Sequence, residues 1–285
     1  MSVKFLCDLY TPGEANVIAF GVPLGRDSKK VLRSLRETSD YVEVFDIDKK
    51  INLLDDARIC DVGNLKLKKL DEITTTTKNM LDVKKIPLIL GGGHLLTLFT
   101  LKAFKDVKLV VFDAHCDLKD EFKDEKIMRL DFINGIKFNP KVNDATWLRR
   151  ACEFMDPKNI FLIGVRSCDE DEFDFIEKNG ISYVTPNQIK KDIQGVKKRL
   201  RQFVDDSKVY ISVDIDAFDP SIAPKVDHPE PNGLFLNEFI ELMEGFDKSE
   251  LAGLDLTCIK NLNDNQRTEF LAIRAILEIL SLLSR

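Results

Sequence analysis

Short apolar or alternating runs recur along the chain, at Asn16–Phe20, Tyr41–Asp46, Ile86–Leu90, Lys108–Phe112, Asn159–Val165, Ile181–Val184, Lys208–Val213 and Leu251–Leu256. Their length and β-branched content read as strands. Between most of them, apolar positions three and four apart predict helices over Leu65–Leu81, Thr97–Phe104, Ala145–Phe154, Asp169–Asn179, Ile189–Phe203, Leu236–Gly245 and Thr268–Leu283. Continuously apolar strands alternating with amphipathic helices predict an α/β fold, its mainly parallel sheet of about eight strands covered on both faces. No internal repeat or Pro/Gly/Ser-rich linker divides the pattern, so residues 1–285 are read as a single domain. The rhythm breaks only from Leu118 to Asp144, a long polar connection of the kind that is functional or disordered.

Charge narrows the partners. Lys and Arg total 42 against 48 Asp and Glu, a formal net charge of −6, with both signs interspersed. Nothing resembles a nucleic-acid or anionic-membrane footprint, which leaves a small molecule. The N-terminus has no basic-then-apolar leader, and Arg274 and Glu278 interrupt the apolar C-terminal stretch, so a cytoplasmic protein is expected. Six cysteines without a CxxC pair are read as reduced thiols.

Three predicted strands end in clusters of metal-binding residues: Gly91-Gly92-Gly93-His94, Asp113-Ala114-His115-Cys116-Asp117 and Asp214-Ile215-Asp216. In open parallel sheets, ligands bind beyond the carboxyl ends of the strands, where separate strands bring such residues together. Positions two apart in extended chain share a face, so Asp113, His115 and Asp117 converge, as do Asp214 and Asp216. Taken singly, a strand-end Asp is a common helix cap and a lone His a common core residue. Four buried carboxylates together demand counter-charge, and two divalent cations supply it. Oxygen-rich ligation with two imidazoles suits Mn2+. Two such ions ~3.5–4 Å apart activate a shared water, which implies hydrolysis.

The segments GGGHLL, DAHCD and SVDIDAFDPSIAP resemble GGDHS, DAHxD and SxDxDxxDPxxxP of the arginase/agmatinase (ureohydrolase) family, and the compact length and the ATWLRR segment after the long connection resemble agmatinases more than arginases. Gly164-Val165-Arg166-Ser167, Pro229-Glu230-Pro231-Asn232-Gly233-Leu234 and Gly253-Leu254-Asp255-Leu256 follow in family order. The resemblance implies a three-layer α/β/α fold with an eight-stranded sheet and a homo-oligomer, trimer or hexamer. It assigns one Mn2+ to His94, Asp113, Asp117 and Asp214, and the second to Asp113, His115, Asp214 and Asp216. Water activated there attacks a guanidinium carbon and urea leaves with an amine, Asp117 orienting the water and shuttling a proton.

The substrate-handling positions depart from the family pattern. Asp144 stands where the family has the His of SHAT, Cys258 where it has the Glu of DxxEVNP, His228 at the Thr of PGTGTPE, and Gly93 at the Asp of GGDHS. Asp144 is expected to provide the missing negative charge to the substrate, His228 to contact substrate and take over proton transfer, and Cys258 to wall the pocket or add a soft metal ligand. Arg149, Arg150 and Arg166 are left without a role. Three readings follow: hydrolysis of a cationic guanidino compound, agmatine foremost; hydrolysis of another amidine such as a formimino compound; or a metal-binding regulatory or scaffold homologue without activity.

Overall fold

Alternate residues of the central strands pack into two separate apolar cores. Leu88, Leu90, Val110, Phe112, Ile211 and Val213 face one core, and Ile89, Leu109, Val111, Leu162 and Tyr210 the other. A sheet that buries both faces needs helices on both. Ser28–Ser39, Ile193–Val204, Leu236–Met243 and Arg267–Leu280 cover the first, while Asp71–Asp82, Leu95–Leu101, Trp147–Ala151 and Glu170–Asn179 cover the second. The result is a three-layer α/β/α arrangement. The structure, a computed structural model, describes residues 3–7, 10–123, 132–133, 136–137 and 139–284. Part of the connection from Leu118 to Asp144 thus lies outside the described residues. No helix among them is long and apolar enough to cross a membrane.

Strands are numbered in chain order: β1 Val17–Val22, β2 Phe45–Asp46, β3 Ile51–Asn52, β4 Ile59–Asn64, β5 Ile86–Gly91, β6 Lys108–Phe112, β7 Phe132–Ile133, β8 Ile136–Lys137, β9 Ile160–Ile163, β10 Ser182–Val184, β11 Lys208–Asp214 and β12 Glu250–Thr257. The main sheet is parallel, in the order β10-β9-β6-β11-β12-β5-β1-β4. The sheet has the expected eight strands, with one membership corrected. The run Tyr41–Asp46 contributes only β2, which pairs antiparallel with β3 away from the sheet: Tyr41 and Phe45 are exposed and only Val42 and Val44, partly buried, pack against the first core, so the run has one apolar face where a sheet strand here needs two. Its place is taken by β4.

The helix Ser28–Ser39 also goes beyond the sequence expectation. Its Arg36 reaches Asp61 of β4 with Nε at 2.6 Å and Nη2 at 3.0 Å, both side chains buried. The single helix expected over Ile189–Phe203 is two, Pro186–Lys191 and Ile193–Val204. Asp192 divides them by accepting the Gly195 N–H at 2.9 Å, an N-cap for the second helix. The helix over Ala145–Phe154 shortens to Trp147–Ala151 behind a 3-10 turn.

Candidate metal centre

The register of the sheet levels the donors. Phe112 pairs with Val213, and Asp214 with Thr257, so Asp113, Asp214 and the residue before Cys258 reach the same height at the carboxyl edge. β6 ends at Phe112, so Asp117 does not reach the site in extended chain. Its backbone turns left-handed, φ 53°, and its carbonyl accepts the Leu148 and Arg149 N–H groups at the start of the helix Trp147–Ala151. The Trp147 indole N–H then donates to Asp117 Oδ2 at 2.7 Å.

His94 lies at the junction of β5 with the helix Leu95–Leu101, 1% exposed. Its Nε2 is 3.0 Å from Ser212 Oγ, and that hydroxyl donates to Asp255 Oδ1 at 2.6 Å. Asp255 accepts as well from Thr97 at 2.8 Å and Tyr210 at 2.7 Å. A serine whose proton goes to Asp255 accepts from His94, which fixes Nε2–H and turns the Nδ1 lone pair toward the site. Around Nδ1 stand Asp113 Oδ2 at 3.0 Å, Asp117 Oδ2 at 3.3 Å and Asp214 Oδ2 at 3.3 Å, yet Nδ1 makes no hydrogen bond. A buried lone pair ringed by carboxylate oxygens suits a cation between them. Ser212→Ala, which releases the imidazole, is expected to weaken divalent-metal affinity by ~10–100-fold in a chelator competition; unchanged affinity would remove the orienting role.

The second group is Asp113, His115 and Asp216. His115 Nδ1 lies 3.1 Å from Asp216 Oδ2 and 3.6 Å from Asp113 Oδ1. Burial and the nearby Asp113 push Asp117 up to about 7, and burial with Asp214 and Asp113 raises Asp216 well above the carboxylate range. Burial disfavours charge on His115, but its bonds to the Asp113 and Asp216 carboxylates outweigh that and lift the imidazole to about 11. All six predicted ligands are therefore brought together, and the electrostatics call for positive charge.

His94, His115, Asp117, Asp214 and Asp216 open onto a cavity of about 710 Å³ that is also lined by Asp144, His228, Glu230, Cys258 and Lys260. His228 is exposed, its ring edge-on to His115 with centroids 6.1 Å apart. Asp144 does not cap the helix that follows it. Asn143 accepts the Ala145 N–H at 3.1 Å, whereas Asp144 Oδ1 accepts the Leu95 N–H at 2.8 Å and caps the helix behind His94. A Cβ on Gly93 would lie 2.7 and 2.8 Å from the two Asp144 carboxylate oxygens. Asp144 thus fills the space that a side chain at position 93 would occupy. Gly93→Ala is expected to cost about 1–2 kcal/mol by displacing that cap, and much less in an Asp144→Ala background, as a denaturation double-mutant cycle checks.

Arg166 is a clamp of carbonyls rather than an ion pair. Its Nη2 donates to Asp216 O at 2.9 Å and Glu230 O at 2.8 Å, and Nη1 to Gly164 O at 2.9 Å, tying three loops around the site. Arg150 meets Asp120 at 2.6 Å, and Arg149 stacks on Phe175. Sequence reasoning missed Ser212, Thr97, Tyr210, Trp147 and Asp255. Of these, Ser212 and Asp255 had a signal, Ser212 as the first residue of the matched segment SVDIDAFDPSIAP and Asp255 as a carboxylate inside an otherwise apolar strand.

A family model described as the arginase family matches residues 27–281. The N(1)-aminopropylagmatine ureohydrolase of Thermococcus kodakarensis is 30% identical over 279 residues, covering 90% of this chain and 86% of that protein. The agmatinase of Bacillus anthracis is 25% identical over 288 residues, covering 94% and 91%. Among solved structures, the agmatine ureohydrolase of Thermoplasma volcanium superposes with a TM-score of 0.83 at 28% identity, covering all of this chain and 95% of that one.

Proposed function

Because the chain belongs to the arginase family, hydrolases of carbon–nitrogen bonds in linear amidines, we propose that it cleaves a cationic guanidino compound, agmatine foremost, to urea and an amine. The observation that carries this reading is the convergence of His94, Asp113, His115, Asp117, Asp214 and Asp216 around an unbonded imidazole nitrogen. Two divalent ions, one held by His94, Asp113, Asp117 and Asp214 and one by Asp113, His115, Asp214 and Asp216, would supply Lewis acidity and an activated water. Mn2+ suits the oxygen-rich set.

The chain's own groups do the rest. Asp117, held by Trp147, orients the attacking water and takes its proton. His228, exposed beside His115, returns a proton to the departing amine. Asp144 and Glu230 face the cavity, and its lysines are already paired: Lys260 with Asp227 at 2.6 Å, and Lys119 with Asp169 and Glu172. The surplus of carboxylates draws in a substrate that is cationic at both ends. Cysteines 152, 168 and 258 remain as thiols, which suits a cytoplasmic protein.

Urea release by the Mn2+-loaded protein across a panel of guanidino compounds, with metal content determined on the same sample, tests the proposal. Urea from agmatine with about two metals per chain is the expected result. Formamide and an amine from a formimino compound, with no urea from any guanidino compound, would move the substrate to that second class of amidines. Full metal content with no product from either class would overturn hydrolysis.

A further inference from the structure

We infer that Cys258 is a ligand of the ion held on the His94 side, which gives that position a thiolate absent from the family pattern. The inference rests on the metal-centre reading above and deepens it. The Cys258 sulfur, a His94 ring nitrogen and an Asp214 oxygen all lie within 4.8 Å of one another. Bond lengths of about 2.3 Å to sulfur and 2.0–2.1 Å to nitrogen put the donors of one ion about 3–4 Å apart, so a small side-chain rotation closes the group.

Two further observations point the same way. His94 Nδ1, buried and without a hydrogen bond, is the atom that lacks a partner in this group. Cys258 is also poorly placed for the usual role of a small buried hydrophobe. It lines the charged cavity beside Asp214, Asp216, Asp144 and Lys260. Its backbone is left-handed, φ 66°, and its N–H is pinned to Gly92 O at 2.8 Å, so the loop from β5 that carries His94 and the end of β12 are fastened together.

A thiolate among imidazole and carboxylate donors shifts preference toward softer ions, Zn2+, Co2+ or Fe2+, over Mn2+. The His115 side has no sulfur in its donor group and stays a hard site. The two positions of one centre therefore differ in the ion they select. Ligation releases the thiol proton to solvent, and nothing is oxidised.

The test is the absorption spectrum of the Co2+-loaded protein, recorded without substrate. The wild type is expected to show thiolate-to-Co2+ charge transfer in the near ultraviolet. Cys258→Ser should lose the band, and Cys258→Asp, which keeps a ligand atom without sulfur, should bind Co2+ without it. The preference for Zn2+ over Mn2+ should fall at least about tenfold in both variants. A band that survives in Cys258→Ser, or a wild type that binds Co2+ fully with no band, would overturn the ligand. Urea release from a protein without the band would leave the hydrolase standing and remove only Cys258. A chain that binds no Co2+ would overturn the ligand and the metal centre together.

Discussion

Asp113→Asn should lose metal, activity and, with metal absent, stability. Asp113 is the carboxylate that reaches both imidazoles, with Oδ2 3.0 Å from His94 Nδ1 and Oδ1 3.6 Å from His115 Nδ1. A neutral amide is a poor bridge between two cations, so bound metal should drop below one per chain and urea release by more than ~100-fold, beyond the loss of a supporting group. Without metal two effects oppose. Asp113 repels Asp117 and Asp216, but despite its burial the two imidazoles hold its own carboxyl well below the ordinary range, and a depressed acid stabilises the fold at neutral pH. The amide keeps an oxygen for the His115 backbone N–H, 2.7 Å away, but loses the charge that pairs with both imidazoles. Each kcal/mol lost lowers the melting temperature in chelator by about 2–4 °C. A variant that keeps its metal and its urea release would remove Asp113 from the centre.

Asp61→Ala should cost about 3–5 kcal/mol, a large part of the roughly 5–15 kcal/mol that holds a domain folded. Asp61 Oδ2 accepts from Arg36 Nε at 2.6 Å and the Phe5 N–H at 2.9 Å, and Oδ1 from Arg36 Nη2 at 3.0 Å and the Gly63 N–H at 2.8 Å. Truncation leaves a guanidinium and two backbone donors without this acceptor in a buried setting. Replacing both partners by apolar residues, Arg36→Met with Asp61→Leu, should recover much of the loss. Burial disfavours the Asp61 charge, but the Arg36 bond outweighs it, so the folded pKa lies below the ordinary value of 3.8. A depressed acid stabilises the fold above its unfolded pKa, and that contribution fades as pH falls through the lower folded value. The wild type should therefore lose stability below about pH 4 more steeply than Asp61→Ala. Denaturant midpoints across acid pH check this, and a variant within 1 kcal/mol of wild type would remove the pair's importance.

This pair also explains where the sequence hid the fold. The helix Ser28–Ser39 reads SKKVLRSLRETS, and β4 reads ICDVGN, with Asp61 at a fully buried position. Each looks too polar alone for an element against the core, because the charges that spoil both patterns neutralise one another across the interface. Hydrophobic period reports what faces apolar neighbours and is blind to a partner distant in sequence. The opposite error occurs at Tyr41–Asp46, where Tyr41 and Phe45 stay exposed and Val42 and Val44 are only partly buried. The candidate metal ligands were legible because chemistry limits such donors to a few residue types at fixed spacing. Asp144 was legible as a departure but not in its role, since only the folded chain puts it against Gly93 and under the helix behind His94.

The sheet order gives the centre a place in time. β6, β11, β12 and β5 stand side by side, yet their end residues His94, Asp113, Asp214 and Cys258 come from widely separated parts of the chain. Pairing such strands closes long loops, which makes a parallel sheet slow to assemble. An ion that needs donors from three or four of these strands has no high-affinity site until the central strands are in register. Metal capture should therefore follow the recovery of secondary structure during refolding, and a stopped-flow metal indicator should lag behind the circular-dichroism signal. Chains with a slipped strand would stay metal-poor, so the bound ions distinguish a correctly threaded chain from a merely collapsed one.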